Sequence, residues 1–378
     1  MEIPILDLER EYQYMKKDID EVIGKTLSHQ KWIFGPEVEE LEKRIAEYLG
    51  VKYAIGVASG TDALVLSLRA LAIKKKGEEF FSPEDEILIP SFTFTATGTA
   101  VLHSYATPVF IDIDPAIYTV DPEQLRKYLE KQGDHVVGII PVHLYGCPAD
   151  MDEIINMASE YNIFVLEDCA QSFGARWQDK ETGSFGDCGA FSFFPTKNLG
   201  GFGDGGMVST NDPQIAELVR MLRKHGGKDK YNVEYIGYNS RLDTLQAAIL
   251  LAKLKYVDEF NEKRRQIASW YNENLREVGD LVLPVEQEGA YHVYHQYTVK
   301  TKKRDELRDY LGRNCIQSMI YYFSPLHKMK VFGGRSKVPF PLAASERSSM
   351  EVLSLPIEPL MEEGGLRYVS DVIREFYR

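Results

Sequence analysis

Lys197 lies in the apolar run Phe191-Ser192-Phe193-Phe194-Pro195-Thr196-Lys197-Asn198-Leu199-Gly200, and Asp168 ends a second apolar run, Phe164-Val165-Leu166-Glu167. Among apolar groups an ammonium is partly desolvated, which lowers its pKa and frees a neutral amine able to form a Schiff base with an aldehyde. A carboxylate at a strand end is the partner a pyridinium nitrogen needs if its ring is to act as an electron sink. Each residue alone has a plainer meaning, since most lysines are solvated and most strand-end aspartates cap helices or turns. Together they point to pyridoxal phosphate, whose aldehyde and ring nitrogen match this amine and this carboxylate.

A phosphate needs its own donors. Ser59-Gly60-Thr61-Asp62 falls where an apolar strand gives way to a helical pattern, so free backbone N–H groups and the positive end of a helix dipole converge there. The same residues also read as an ordinary Ser/Thr helix cap. Ser192, upstream of Lys197, would add a hydroxyl on that side. Gly201-Phe202-Gly203-Asp204-Gly205-Gly206 formally satisfies GxGxxG, but a strand-like Met207-Val208-Ser209-Thr210 follows where a dinucleotide fingerprint requires a helix. These glycines are expected to let the chain turn sharply beside a cofactor.

The elements that must hold these residues are legible from about residue 50, where apolar strand-like runs alternate with helical periodicity. Strands are expected at 53–57, 86–89, 108–112, 136–141, 163–167, 190–193 and 207–210, with helices at 61–72, 95–103, 122–131, 151–161 and 212–223. The fold class is therefore α/β: a large domain with a mostly parallel seven-stranded sheet flanked by helices, and a smaller C-terminal α+β domain. The expected boundary leaves residues 1–250 in the large domain and 251–378 in the small one, with the N-terminal segment a candidate to pack on the latter. A long helical pattern from Leu245, with Asp243 as cap, is expected to bridge the two, followed by a strand at 296–300 and a helix at 305–313. Residues 74–85 read as a charged loop.

Composition narrows the class. A chain of 378 residues with 44% hydrophobic and 27% charged residues is ordinary for a globular protein of two domains. Its net charge of −13 argues against a nucleic-acid footprint, and Lys74-Lys75-Lys76 and Lys302-Lys303-Arg304 read as solvated loops or helix ends. The four cysteines, Cys147, Cys169, Cys188 and Cys315, have neither metal-ligand nor disulfide-framework spacing, which suits reduced thiols in the cytoplasm. No metal is expected. The N-terminus lacks the apolar core of a signal peptide, and the long uncharged stretch 87–111 is broken by Pro90, Gly98 and Pro108, so no membrane span is expected.

Four spaced motifs, Ser59-Gly60-Thr61-Asp62-Ala63, Glu167-Asp168-Cys169-Ala170-Gln171-Ser172, Ser192 to Gly200, and Gly237-Tyr238-Asn239-Ser240-Arg241-Leu242-Asp243, resemble the DegT/StrS family of sugar aminotransferases. Pro90-Ser91-Phe92-Thr93-Phe94 and Gly35-Pro36 match as well, and the resemblance runs from about Ile5 into the C-terminal domain. It implies a fold-type-I homodimer with active sites shared between subunits. It further implies that Lys197 holds the cofactor, Asp168 pairs with the ring nitrogen, Gln171 meets the ring hydroxyl, and Phe94 stacks on the ring unless it is simply a core aromatic. Gly60, Thr61 and Ser192 would hold the phosphate, and Asn239 would reach the phosphate of the neighbouring subunit.

The implied reaction moves an amino group from glutamate, leaving 2-oxoglutarate, to a keto sugar carried on a nucleotide diphosphate, with a 3-keto sugar preferred over a 4-keto one by resemblance to that branch. Arg241 and the loop His225-Gly226-Gly227-Lys228 could bind the donor carboxylate or the acceptor diphosphate, or His225 and Lys228 could be plain solvated loop. Tyr321-Tyr322-Phe323 stands where relatives often show His-Tyr or His-Phe near the sugar, which makes Tyr321 and Tyr322 candidate substrate contacts. The 74–85 loop is longer than usual. Other acceptors such as keto-cyclitols, and a non-enzymatic regulatory protein retaining the fold, are the competing readings. Loss of Lys197 or Asp168 would mark the second, and both are present.

Overall fold

The computed structural model describes every residue except Met1 and Lys230. Two helices, α1 (Leu8–His29) and α2 (Pro36–Leu49), precede the alternating region. Then follow β1 (Tyr53–Val57), α3 (Gly60–Lys76), β2 (Glu86–Pro90), α4 (Thr95–His103), β3 (Thr107–Ile111), α5 (Pro122–Gln132), β4 (Val136–Ile139), α6 (Met151–Tyr161) and β5 (Phe164–Asp168). A short hairpin, β6 (Arg176–Trp177) and β7 (Lys180–Glu181), leads to β8 (Cys188–Ser192), β9 (Gly206–Thr210) and α7 (Pro213–Leu222). The C-terminal third contributes α8 (Thr244–Leu254), α9 (Val257–Asn274), β10 (Ala290–Tyr291), β11 (Tyr297–Lys300), α10 (Arg304–Arg313), α11 (Ala343–Glu351), β12 (Val352–Leu355) and α12 (Glu363–Tyr377).

Seven strands form one sheet in the order β1-β9-β8-β5-β4-β2-β3. Only β9 runs antiparallel to its neighbours. The mostly parallel seven-stranded sheet expected from the alternation is therefore present. Strands buried on both faces read as near-continuous apolar runs, as the fully buried β2 and β5 do. Helix α3 is buried without a break from Ala63 to Ala72, as befits a helix covered all round rather than along one stripe. Asp121 and Asp212 cap α5 and α7, with proline at the first helical position of each, the start signal their sequences carry.

Several expectations give way. The pattern after Leu245 is two helices, broken at Lys255–Tyr256, where the Tyr256 ring packs against Tyr14 and Phe260 with centroids 5.9 and 6.0 Å away. Asp243 stands at the α8 N-cap position but its side chain makes no cap bond; Thr244 instead accepts from the Gly35 N–H at 3.0 Å. Lys74, Lys75 and Lys76 are the last turn of α3, the helix end of the two expected alternatives and not the start of the charged loop, and pair with Asp212, Asp187 and Asp85. Arg304 is buried at the start of α10, donating to the Ser349 carbonyl at 3.0 Å. Helices α1, α2, α11 and α12 were not foreseen.

A second apolar cluster joins α9, α10, α12, β11 and β12 with Ile3, which bridges in parallel to Ile316. Residues from the same C-terminal third return to the large sheet: Leu326 and Phe332 pack into its core, and Lys337 bridges to Val109 beside the edge strand β3.

Candidate active site

The loops leaving the carboxyl ends of β1, β2, β5 and β8 converge, the place where open α/β sheets bind ligands. They close a cavity of about 420 Å³ lined by Ser59, Gly60, Thr61, Phe94, Asp168, Gln171, Ser192, Lys197, Tyr321 and Tyr322, among others. That volume lies in the range of small-molecule sites. Eight of the residues named from the sequence as cofactor-binding or catalytic were Gly60, Thr61, Phe94, Asp168, Gln171, Ser192, Lys197 and Asn239; all but Asn239 line this one cavity.

At its anionic end, Ser59 caps α3 by accepting from the Asp62 N–H at 3.1 Å, and its carbonyl takes the Ala63 N–H. The Gly60 and Thr61 N–H groups belong to the first turn, which has no intrahelical acceptors. A Cβ on Gly60 would lie 2.6 Å from Ser192 Cβ, so only glycine lets the helix start sit against the end of β8. The helix terminus, the Thr61 side chain and Ser192 form a cradle fit for a phosphate.

At the other end, Asp168 is buried and held by the Thr97 hydroxyl, which donates at 2.8 Å, and by the Ala170 N–H at 3.2 Å. Burial pushes its carboxyl up from the ordinary value, while Thr97, Ala170, Lys197 and His143 pull the other way. Beneath it Glu167 accepts from the N–H groups of Gly183, Phe185 and Gly186 at 2.7–2.9 Å and pairs with His143 at 3.2 Å. His143, Glu167 and Cys169 offer atoms within 4.8 Å of one another. His143 Nδ1 already accepts from the Ala149 N–H, so the group is a brace for β5 with its acceptors spent.

Lys197 sits in the turn after β8, its N–H bonded to the Phe194 carbonyl at 2.9 Å. Burial lowers its ammonium to about 8, with the Asp168 charge opposing that shift. At pH 7 about one molecule in ten then carries the free amine, against fewer than about one in a thousand for an ordinary lysine. In the cofactor-free protein, reductive labelling of Lys197 by a small aldehyde should therefore rise with a midpoint near pH 8. In Asp168→Asn the midpoint should move lower still, because the lost carboxylate favoured the charged form; peptide mass spectrometry reads both, and a midpoint at the ordinary lysine value would contradict the environment described.

Gln171 has its amide orientation set: Oε1 accepts from the Tyr145 N–H at 2.8 Å and Nε2 donates to the Tyr322 hydroxyl at 2.9 Å. Tyr322 in turn packs near Phe94, with ring centroids 6.0 Å apart. The residues missed from the sequence include Thr97, Asp204 and His295. His295 lines the cavity, and its Nδ1 lies 3.0 Å from Asn198 Oδ1. Asn198 Nδ2 donates to Asn261 Oδ1, whose own amide donates to the Phe173 carbonyl. This chain fixes Nδ1 of His295 as the protonated nitrogen, and burial holds the ring neutral. No local signal marks a lone histidine nearly a hundred positions from Lys197.

Asn239 and Arg241 lie outside this cavity. Asn239 is exposed beside Lys224, and Arg241 is half-buried on the same strand-like segment, which is anchored by Ser240 accepting from the Ala58 N–H at 3.1 Å. His225 and Lys228 belong to that segment too and do not line the cavity.

A doubly covered α/β sheet with an amine and a carboxylate facing one cavity, beside a helix-terminus anion cradle, is the architecture of a fold-type-I aminotransferase. The chain belongs to the DegT/DnrJ/EryC1/StrS aminotransferase family, which matches residues 13–374. It is 42% identical over 380 residues to a protein named "Pleiotropic regulatory protein" from Geobacillus stearothermophilus, covering 100% of this chain and 99% of the other. It is also 42% identical over 373 residues, 98% and 97% of the two chains, to UDP-N-acetyl-3-dehydro-alpha-D-glucosamine 3-aminotransferase of Acidithiobacillus ferrooxidans. The structure of DesV from S. venezuelae in complex with a ketimine intermediate superposes with a TM-score of 0.93 at 38% identity, covering 100% and 99%. Among the described residues no helix is long and apolar enough to cross a membrane.

Proposed function

We propose that this protein uses pyridoxal phosphate at Lys197 to move an amino group from glutamate to the keto carbon of a nucleotide-linked 3-keto sugar, releasing 2-oxoglutarate. The observation that carries this reading is that Lys197 and Asp168 line the same cavity as the Ser59–Thr61 helix start. Gly60, Thr61 and Ser192 would hold the phosphate, Asp168 the ring nitrogen, Gln171 the ring hydroxyl, and Phe94 one face of the ring. When bound, the cofactor supplies an electron sink for breaking a C–H bond beside nitrogen. Lys197 would hold the cofactor through Nζ, and the same amine, neutral when free, would move a proton between carbon centres. The carboxylate of Asp168 would hold positive charge on the ring nitrogen.

The 3-keto preference draws on the Acidithiobacillus relative, whose name specifies a 3-dehydro sugar nucleotide. Tyr321 and Tyr322, which line the same cavity as the cradle residues, are proposed to contact the sugar. A homodimer with shared sites is part of the same proposal: Phe94 and Phe194 line the cavity yet remain about half exposed in the single chain, and Asn239 and Arg241 are free of their own cavity to serve a neighbour's. So are the division at 250/251 and a cytoplasmic location.

Incubating the holoenzyme with glutamate and a panel of UDP-, dTDP- and GDP-linked 3-keto and 4-keto sugars, together with a keto-cyclitol, and following 2-oxoglutarate tests this. Turnover with a 3-keto sugar nucleotide is expected. The name of the Geobacillus relative favours one other reading, a regulatory protein; a cofactor-loaded protein that releases no 2-oxoglutarate with any acceptor would support it.

A further inference from the structure

The long loop after α3 has a consequence for the segment that carries Asn239. Arg69, fully buried on α3, spends its guanidinium on four acceptors. Nε donates to the Glu79 carbonyl at 2.6 Å and Nη1 to the Tyr238 hydroxyl at 2.9 Å. Nη2 donates to Glu79 Oε2 at 3.1 Å and to the Ile236 carbonyl at 3.0 Å. Glu79 Oε2 also accepts from the Ile236 N–H at 2.9 Å, and the Phe80 ring lies 3.7 Å from the Arg69 guanidinium. Loop and segment are thus joined through one carboxylate that bonds both the arginine and the backbone of Ile236.

The segment so held is a strand-like return: Lys224 bridges Asn239, and Gly227 bridges Val233. Its two arms touch so closely that a Cβ on Gly237 would lie 2.0 Å from the Gly226 nitrogen, and one on Gly226 1.8 Å from the Tyr235 carbonyl oxygen. Gly226 also has φ of +83°, so neither position accepts a side chain. Along the return Tyr231, Val233 and Ile236 are 92%, 59% and 64% exposed in the single chain. Arg69 ties the return to α3 through Tyr238 and Ile236, and Glu79 adds the bond to the Ile236 N–H while holding the guanidinium.

We propose that Glu79 is a positioning residue for cofactor binding in trans: with Arg69 it sets the placement of the 224–239 return, and through it the reach of Asn239 into the second subunit's phosphate cradle. This rests on the reading of Asn239 given above. It assigns the 77–80 stretch, unaccounted for by the reaction itself, a role in the assembled site.

The test is a double-mutant cycle on the full-length dimer, with the dissociation constant for pyridoxal phosphate read by absorbance and thermal midpoints measured in parallel. Glu79→Ala is expected to weaken the cofactor about tenfold, the order of one charge-assisted hydrogen bond. Glu79→Gln, whose amide oxygen can still accept from Ile236, should recover most of it. In the Asn239→Ala background, Glu79→Ala should add less than about twofold, since coupled sites are not additive. If Asn239→Ala weakens the cofactor but Glu79→Ala lowers only the thermal midpoint, or acts by the same factor in both backgrounds, Glu79 has no such role and the Asn239 reading stands. If Asn239→Ala leaves the dissociation constant unchanged, both fall together.

Discussion

Lys197→Ala is expected to lower the rate of 2-oxoglutarate formation by about 10⁴-fold, since it removes the nucleophile and the proton carrier at once. The protein should still fold, because Lys197 makes no side-chain hydrogen bond or ion pair with the described residues, and the turn is held by the backbone bonds of Lys197 and Gly201 to Phe194 and Phe193. Pyridoxal phosphate should still enter, since the Gly60–Thr61 cradle is intact, but the visible absorbance of a lysine-bound cofactor should not develop. Phosphate retention without that absorbance separates loss of chemistry from loss of the site. An enzyme of near wild-type rate would remove Lys197 from the mechanism.

Asp168→Asn is the second large effect and has a different signature. The amide is nearly isosteric: its one oxygen can keep the Ala170 N–H, and the NH2 in place of the other oxygen can donate to the Thr97 hydroxyl, reversing that bond, but it cannot hold positive charge on a ring nitrogen. Turnover should fall by about 10²- to 10³-fold, the size of losing one preorganised electrostatic partner, while covalent attachment at Lys197 persists. Absorbance and turnover therefore diverge in this variant and fall together in Lys197→Ala. Removal of attachment by Asp168→Asn would show that the carboxylate holds the lysine turn rather than the ring.

Much of this site was legible because its residues lie at the ends of strands whose own sequences announce them. Apolar β2 and β5 read directly as buried parallel strands, so Asp168 could be placed at a sheet end before its neighbours were known. The Ser59–Asp62 cap was legible for the same reason, since local backbone chemistry decides it, whereas the glycines at 201–206 have no positive φ and make room for Gln246, Leu242 and Ser59 from elsewhere in the sequence. What escaped was set by long-range contact. Thr97 looks like any threonine on a short helix until β5 brings Asp168 within 2.8 Å of it. His295 reaches the site from the start of the C-terminal layer through Asn198 and Asn261. The lysines at 74–76 looked solvated because their carboxylate partners, Asp187 and Asp212 among them, sit far away in sequence. The break at Tyr256 likewise depends on the aromatic rings of Tyr14 and Phe260, and helical periodicity alone carries no trace of it.

The central claim is the covalent seat of the cofactor, and it can be tested without any substrate. Protein loaded with pyridoxal phosphate, reduced with borohydride and digested, should carry the pyridoxyl mass on the peptide containing Lys197, and Lys197→Ala should carry it nowhere stoichiometrically. A stoichiometric adduct on another lysine, with Lys197 unmodified in active protein, would contradict the account.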